Sequence, residues 1–181
     1  RRGVFDVGPW RLERVDPQHR PGFVLSAAYE TWVNAPRNAA NRSFWDHIAN
    51  QGLAGAVTMV KGTDPDGVDY LECYRIRHNG NVFVDSLDEP FDTTELSPAA
   101  SGNGWAIFVL GTDGRMYARA HEVGFFHHSS FLAGKPVAAA GELVVEQGVI
   151  KAVTAKTGHY KASVVEMRRL MNNVPQIPGN A

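Results

Sequence analysis

Three glycine-bearing dipeptides constrain this chain more than any other feature. Asn79-Gly80, Asp113-Gly114 and Gln147-Gly148 each separate two runs whose side chains alternate in character. In "DYLECYRIRHNGNVFVDS", Tyr70, Glu72, Tyr74 and Ile76 alternate against Leu71, Cys73, Arg75 and Arg77. Period-two alternation puts successive side chains on opposite faces, and a short Gly-containing turn between two such runs is the sequence mark of an antiparallel hairpin. The pattern predicts hairpins over 69–86, 105–120 and 142–155. Between the first two, "DEPFDTTELSPAASGNG" is rich in Pro, Ser, Thr and Gly and is predicted to be a long surface loop.

Before the hairpins the period is helical. "GFVLSAAYETWVNA" places Leu25, Ala28, Tyr29, Trp32 and Val33 on one helical face, and in "NRSFWDHIANQG" Ser43 and Asp46 have capping-box spacing with Gly52 as a stop. After the hairpins, Ser163 and Glu166 repeat that spacing ahead of Val164, Met167, Leu170 and Met171, and the chain leaves this helix at Asn172-Asn173. N-terminal helices, antiparallel β-hairpins and a short C-terminal helix make an α+β fold, not an alternating βαβ one.

A chain of 181 residues, 44% apolar and 20% charged, is expected to form a single compact domain. Its lone cysteine, Cys73, rules out an internal disulfide and any cysteine-based zinc cluster. No stretch reaches the roughly 18 consecutive apolar residues of a membrane span, so no membrane partner is expected. The net charge of −1 is unevenly spread: nine acidic residues face two basic ones from Asp64 to Glu95, and eight basic face four acidic from Arg115 onward. An anionic small molecule is favoured in the basic half, whereas a nucleic-acid binder would carry a larger basic excess.

Four stretches concentrate reactive side chains: "DPQHRPG" (16–22), "HHSS" (127–130), "AAAGELVVE" (138–146) and "TGHYK" (157–161). On an extended chain, His127, Ser129 and Phe131 would share one face, with His128, Ser130 and Leu132 on the other. Serines that cap backbone amides and histidines in ordinary hydrogen bonds explain HHSS taken alone. Arg20 offers a planar fork for a carboxylate or phosphate, while Asp16-Pro17 forms a turn. Glu142 follows Gly141 at a predicted strand start, either as an edge charge or turned toward the serines. His159-Tyr160 follows a flexible glycine, near helix-terminal amides that suit an anion. No pair of histidines has HxH or HxxxH spacing beside a carboxylate, so no metal site is expected.

Taken in order, "DPQHRPGFVLSAAYETW", "GWAIFVL", "GFFHHSSFLAG", "AAAGELV" and "TGHYK" resemble the conserved body of the plant IQ-motif-containing calmodulin-binding family. Its members carry DPxHRxGxxL, IFVLS, F-x-HSSFL-x-G, AAG and SGHYxP elements. This chain departs from them in three places: Thr157 stands for the serine before Gly-His-Tyr, Ala162 for the following proline, and Glu142 for an often basic residue. No IQ-type helix is found in it, so calmodulin binding is not carried over. A similar body without the plant flanks is identified in bacterial effectors and polymorphic toxins. That resemblance implies the C-terminal portion of a larger protein, secreted or injected by a bacterial secretion system and acting in the target-cell cytosol.

Three functions fit these parts. The preferred one is a toxin domain of ADP-ribosyltransferase type, transferring from NAD to a macromolecular acceptor, with a cognate immunity protein as a possible partner. Glu142, His128, Ser129, His159 and Tyr160 would act on the reacting atoms, and Arg20, His19, Ser130 and His127 would hold NAD. The second is a metal-independent ribonuclease using two histidines, with Lys161 or an arginine on the phosphate. The third is a non-catalytic protein-interaction module in which HHSS and GHY are structural.

Overall fold

The computed structural model describes residues 16, 18, 20, 22–36, 38, 43–51, 53, 57–157, 160, 165, 168 and 170. They fall into two compact units, Arg1–Val57 and Thr58–Ala181.

In the first unit, helix α1 (Gly22–Asn34) follows the predicted apolar stripe except at Val33, which is exposed. Leu25 and Ala28 are buried against Phe44 and Ile48 of helix α2 (Phe44–Asn50), with Tyr29, Trp32 and Trp45 around them. Ring centroids of Tyr29 and Phe44 lie 5.5 Å apart and edge-on, an arrangement that suits the aromatic quadrupoles. The predicted capping box is present: Ser43 Oγ accepts from Asp46 N at 3.1 Å, and Asp46 Oδ2 accepts from Ser43 N at 3.0 Å. The stop expected at Gly52 lies outside the described residues.

The second unit is built on a six-stranded antiparallel sheet of order β2-β1-β4-β3-β5-β6. Its strands are β1 (Arg75–His78), β2 (Phe83–Val84), β3 (Ala106–Gly111), β4 (Met116–Arg119), β5 (Val137–Glu146) and β6 (Val149–Thr154). All three predicted hairpins form. The β5–β6 turn has positive φ at both central residues, 46° at Gln147 and 76° at Gly148, the type I′ geometry whose twist matches the flanking strands. Gly148 is also sterically required, because a Cβ there would lie 2.6 Å from Phe83 O. That contact curls the sheet: Phe83 N donates to Gly148 O at 2.8 Å, which ties edge strand β2 to the far hairpin.

Strand β3 is buried on both faces, which its uninterrupted apolar run requires. Phe108 packs inward with Ile76, Met116, Leu143 and Ile150, and Ile107 and Val109 pack on the opposite face with Tyr117, Phe126 and Phe131. Val165, Arg168 and Leu170 are helical, and Leu170 is buried in the first of these clusters. The capping box expected at Ser163 and Glu166 lies outside the described residues.

Two expectations need correction, at 70–74 and at Glu142, and the 88–104 loop, which is present, gains an anchor. The alternation at 70–74 belongs to a 3-10 helix (Tyr70–Tyr74) and not to a strand, because Asp69 Oδ1 accepts from Leu71 N at 2.9 Å and so caps a turn before β1 can begin. The segment 88–104 is anchored at its centre: Thr93 is fully buried, donates from Oγ1 to Gly104 O at 2.7 Å and accepts from Val145 N at 2.9 Å. Asp92 beside it accepts from the backbone and side chain of Gln147, at 2.8 Å each. Strand β5 starts at Val137, so Glu142 sits mid-strand, paired with Ile107 and Thr154.

Candidate functional site

HHSS is not extended. Residues His128–Phe131 form a one-turn helix, α3, with His127 as its N-cap. The turn closes because Ser130 Oγ accepts from His127 N at 2.9 Å and Ser130 N donates to His127 O at 2.9 Å. The expected separation onto two faces is therefore lost, and all four side chains are buried.

Each side chain has a definite place. His128 Nε2 lies 2.8 Å from Gly141 O. A carbonyl only accepts, so the proton is on Nε2 and His128 donates across to β5. Gly141 is the residue the position demands, since a Cβ there would lie 1.9 Å from Thr154 O and 3.0 Å from the Phe108 ring. His127 Nε2 accepts from Gly124 N at 3.0 Å, which braces the preceding turn. Ser129 Oγ is buried with no hydrogen-bond partner in the protein.

A third histidine joins them. The His121 ring stands edge-on to His127, with centroids 4.9 Å apart, and 6.4 Å from His128. Both its ring nitrogens are buried and unpartnered. Desolvation holds its pKa below the ordinary 6.5, against the pull of Glu142 and with the push of Lys156. Sequence reasoning missed His121, although a third histidine within "HEVGFFHH" was the available signal. It also missed what holds Glu142: Ser101 donates to Glu142 Oε1 at 2.8 Å, and Lys156 Nζ lies 3.2 Å from the same oxygen.

The remaining predicted residues lie as follows. Tyr160 packs against the cluster that holds Phe131 and Ala140 and donates its hydroxyl to Lys135 O at 2.8 Å. Burial pushes its phenol up to about 12. Arg20, in the first unit, spends its fork on the protein itself, with Nε and Nη2 each 2.8 Å from the carboxylate of Asp16. Burial raises the Asp16 pKa, but hydrogen bonds from Arg20 and Gln18 outweigh that and hold it below the ordinary 3.8. His19, His159 and Lys161 lie outside the described residues.

The structure thus brings together His127, His128, Ser129, Ser130 and Tyr160 around α3, with Glu142 and the unforeseen His121 close by. No serine hydroxyl among them is hydrogen-bonded to an imidazole: Ser130 meets a backbone amide, and Ser129 meets nothing. An activated hydroxyl requires a base in contact with it. Among the described residues, no group of three or more His, Cys, Asp or Glu could hold a metal ion.

The family model described as "IQ motif-containing protein middle domain" matches residues 72–167, which includes α3, Gly141 and most of the sheet. The chain belongs to the IQ motif-containing protein family. It is 32% identical over 164 residues to the IQ domain-containing protein IQM3 of Arabidopsis thaliana, covering 84% of this chain and 34% of that one. With IQM2 of the same plant it shares 34% identity over 161 residues, 83% of this chain and 26% of the other. The chain therefore spans about a third or less of the length of these relatives. No solved structure matches it.

Membership corrects the functional expectation. The relatives are plant IQ domain-containing proteins, which overturns the bacterial toxin or effector, the ADP-ribosyltransferase and the enzyme assignment. The same finding overturns delivery by a bacterial secretion system, and it leaves nothing to support a cognate immunity protein. Physically, the two charged groups that the transferase needed are both engaged, Arg20 by Asp16 and Glu142 by Ser101 and Lys156. Among the described residues, no helix is long and apolar enough to cross a membrane.

Proposed function

We propose that this chain is a non-catalytic protein-interaction module of the IQ motif-containing family. One observation carries the reading: three of the four polar residues of its most distinctive motif are consumed in building the domain. His128 ties α3 to β5, Ser130 closes α3, and His127 braces the turn before it.

That brace has a consequence at the surface. The turn 122–126 is closed by Phe125 N and Phe126 N donating to Glu122 O, and Thr58 N donates to Phe125 O at 2.7 Å. On this fixed backbone Phe125 is 69% exposed and Val123 45%. An exposed aromatic ring on a hydrogen-bonded backbone suits an anchor at a protein interface.

The test compares stability with chemistry in His128→Ala and Ser130→Ala. Each variant leaves a buried polar group without its partner, a loss of about 1–3 kcal/mol, so the unfolding midpoint should fall in both. The wild-type chain should neither consume NAD nor cleave RNA. A variant that keeps the wild-type midpoint and abolishes a turnover present in the wild type would overturn the proposal.

A further inference from the structure

The chain contains two Asn-Gly dipeptides, Asn79-Gly80 and Asn103-Gly104, and the fold places them in opposite surroundings. Both asparagines are exposed to water. At the second, Gly104 N donates to Leu96 O at 2.7 Å, and Asn103 Oδ1 accepts from Ser97 Oγ at 3.0 Å. A backbone carbonyl holds that amide proton but is too weak a base to remove it.

At the first, Gly80 N donates to an imidazole instead, His78 Nδ1, at 3.2 Å. The ring proton of His78 is therefore on Nε2, and the Nδ1 lone pair points at the Gly80 amide. Phe83 holds the ring there, edge-on with centroids 5.2 Å apart. Imidazole is the side chain best matched to taking and returning a proton near neutral pH, and 3.2 Å is within the reach of a base for the proton it abstracts.

The Asn79 side chain is prepared from its other end. Asn79 Oδ1 accepts from Asn81 N at 3.0 Å and from Val82 N at 3.1 Å. Two amide donors on one carbonyl oxygen draw electrons from Cγ and stabilise the negative charge that develops on that oxygen when a nucleophile adds. Gly80 N and Asn79 Cγ are separated by the bonds of a single residue, so a bond between them closes a five-membered ring. Nothing crowds the closure, since even a Cβ at Gly80 would meet no atom within 4 Å.

We propose that Asn79 is a self-modification site at which His78 is the base. Gly80 N bonds to Asn79 Cγ, and the Cγ–Nδ2 bond breaks. His78 Nδ1 takes the Gly80 amide proton and returns it to the departing nitrogen, so ammonia leaves and the neutral imidazole is restored. Water then adds across one of the two imide C–N bonds, which leaves either an aspartate or an isoaspartate at position 79. The aspartate keeps both amide donors and strengthens them by its charge. The isoaspartate adds a carbon to the backbone inside the turn that sets the pairing His78↔Phe83. Phe83 N also donates to Gly148 O at 2.8 Å, so the change is felt at the β5–β6 turn. This site is separate from α3 and does not rest on the interaction-module reading.

The test incubates the folded protein near neutral pH in ¹⁸O-labelled water and follows the peptides spanning the two asparagines by mass spectrometry, with isoaspartate scored by enzymatic methylation. Asn79 should convert at least about tenfold faster than Asn103, the low end of what a positioned base contributes. In concentrated urea, where neither setting survives, the two rates should converge. His78→Phe keeps a ring against Phe83 and removes the base; conversion at Asn79 should fall about tenfold while Asn103 is unchanged, with amide exchange at Val82 reporting whether the turn is kept. Where that exchange shows a loosened turn, the comparison of folded with urea-unfolded wild type decides alone. Equal conversion of the two asparagines in the folded protein, a difference that persists in urea, or undiminished conversion at Asn79 in a His78→Phe protein that keeps its turn overturns the proposal.

Discussion

The two buried carboxylates among the described residues are secured in opposite ways. Asp16 is closed by a residue four positions away: Arg20 makes two side-chain contacts at 2.8 Å, and both side chains are almost inaccessible, at 0% and 5%. Glu142 is closed from a distance, by Ser101 from the 88–104 segment and by Lys156 beyond the β5–β6 hairpin, and the lysine side chain is 61% exposed. The first is a local clamp that desolvates both charges. The second is a tertiary tie in which only the carboxylate loses its water. Similar chemistry therefore carries different energetic weight in the two units.

The largest expected effect breaks the local clamp. Arg20→Ala leaves Asp16 buried and uncompensated, and loss of one partner of a buried pair costs about 3–5 kcal/mol; denaturant unfolding of the first unit should show it. Next comes the strand that carries Glu142. Gly141→Ala drives a methyl against Thr154 O, and overpacking against backbone costs about 1–3 kcal/mol; exchange of amide protons along β5 and β6 should accelerate. Lys156→Ala removes a mostly exposed partner and should cost no more than about 1 kcal/mol, read as a small fall in midpoint that salt diminishes further.

Acid sharpens the same contrast. The folded-state pKa of Asp16 is depressed, so the unfolded state takes the proton more readily. Its contribution is complete above the ordinary carboxyl value of 3.8 and is lost as pH falls through the lower folded value. Stability measured from pH 6 downward should decline in that window, and Arg20→Ala should shrink the decline, because the guanidinium's hydrogen bonds and charge no longer offset the burial that raises the carboxyl pKa.

What could be read from the sequence follows the same division between local and distant. The three hairpin turns, the α1 stripe and the Ser43–Asp46 box depend on neighbours within four residues, and all of them are present. The Asp16–Arg20 pair is equally local, and its turn was visible, but a free fork was expected where the structure shows an occupied one. The 3-10 turn at 70–74 escaped because the Asp69 cap competes with strand alternation. HHSS was mistaken for extended chain because alternation does not register that Ser130 can reach back to the amide of His127. Ser101 stands 41 positions from Glu142, and no local pattern announces such a partner. His121 is near in sequence to the motif it joins, and only the fold reveals that its ring meets both others.

The central claim is that His127, His128 and Ser130 build the domain, and His128 tests it most directly. Proton-detected ¹⁵N NMR of histidine-labelled protein should show a proton bonded to His128 Nε2 that is protected from solvent exchange as strongly as the β5 amides, since Gly141 O receives it inside the core. A ring proton exchanging freely with water while those amides stay protected would mean that the imidazole faces a solvent-filled cleft, and the structural role given to the motif would be contradicted.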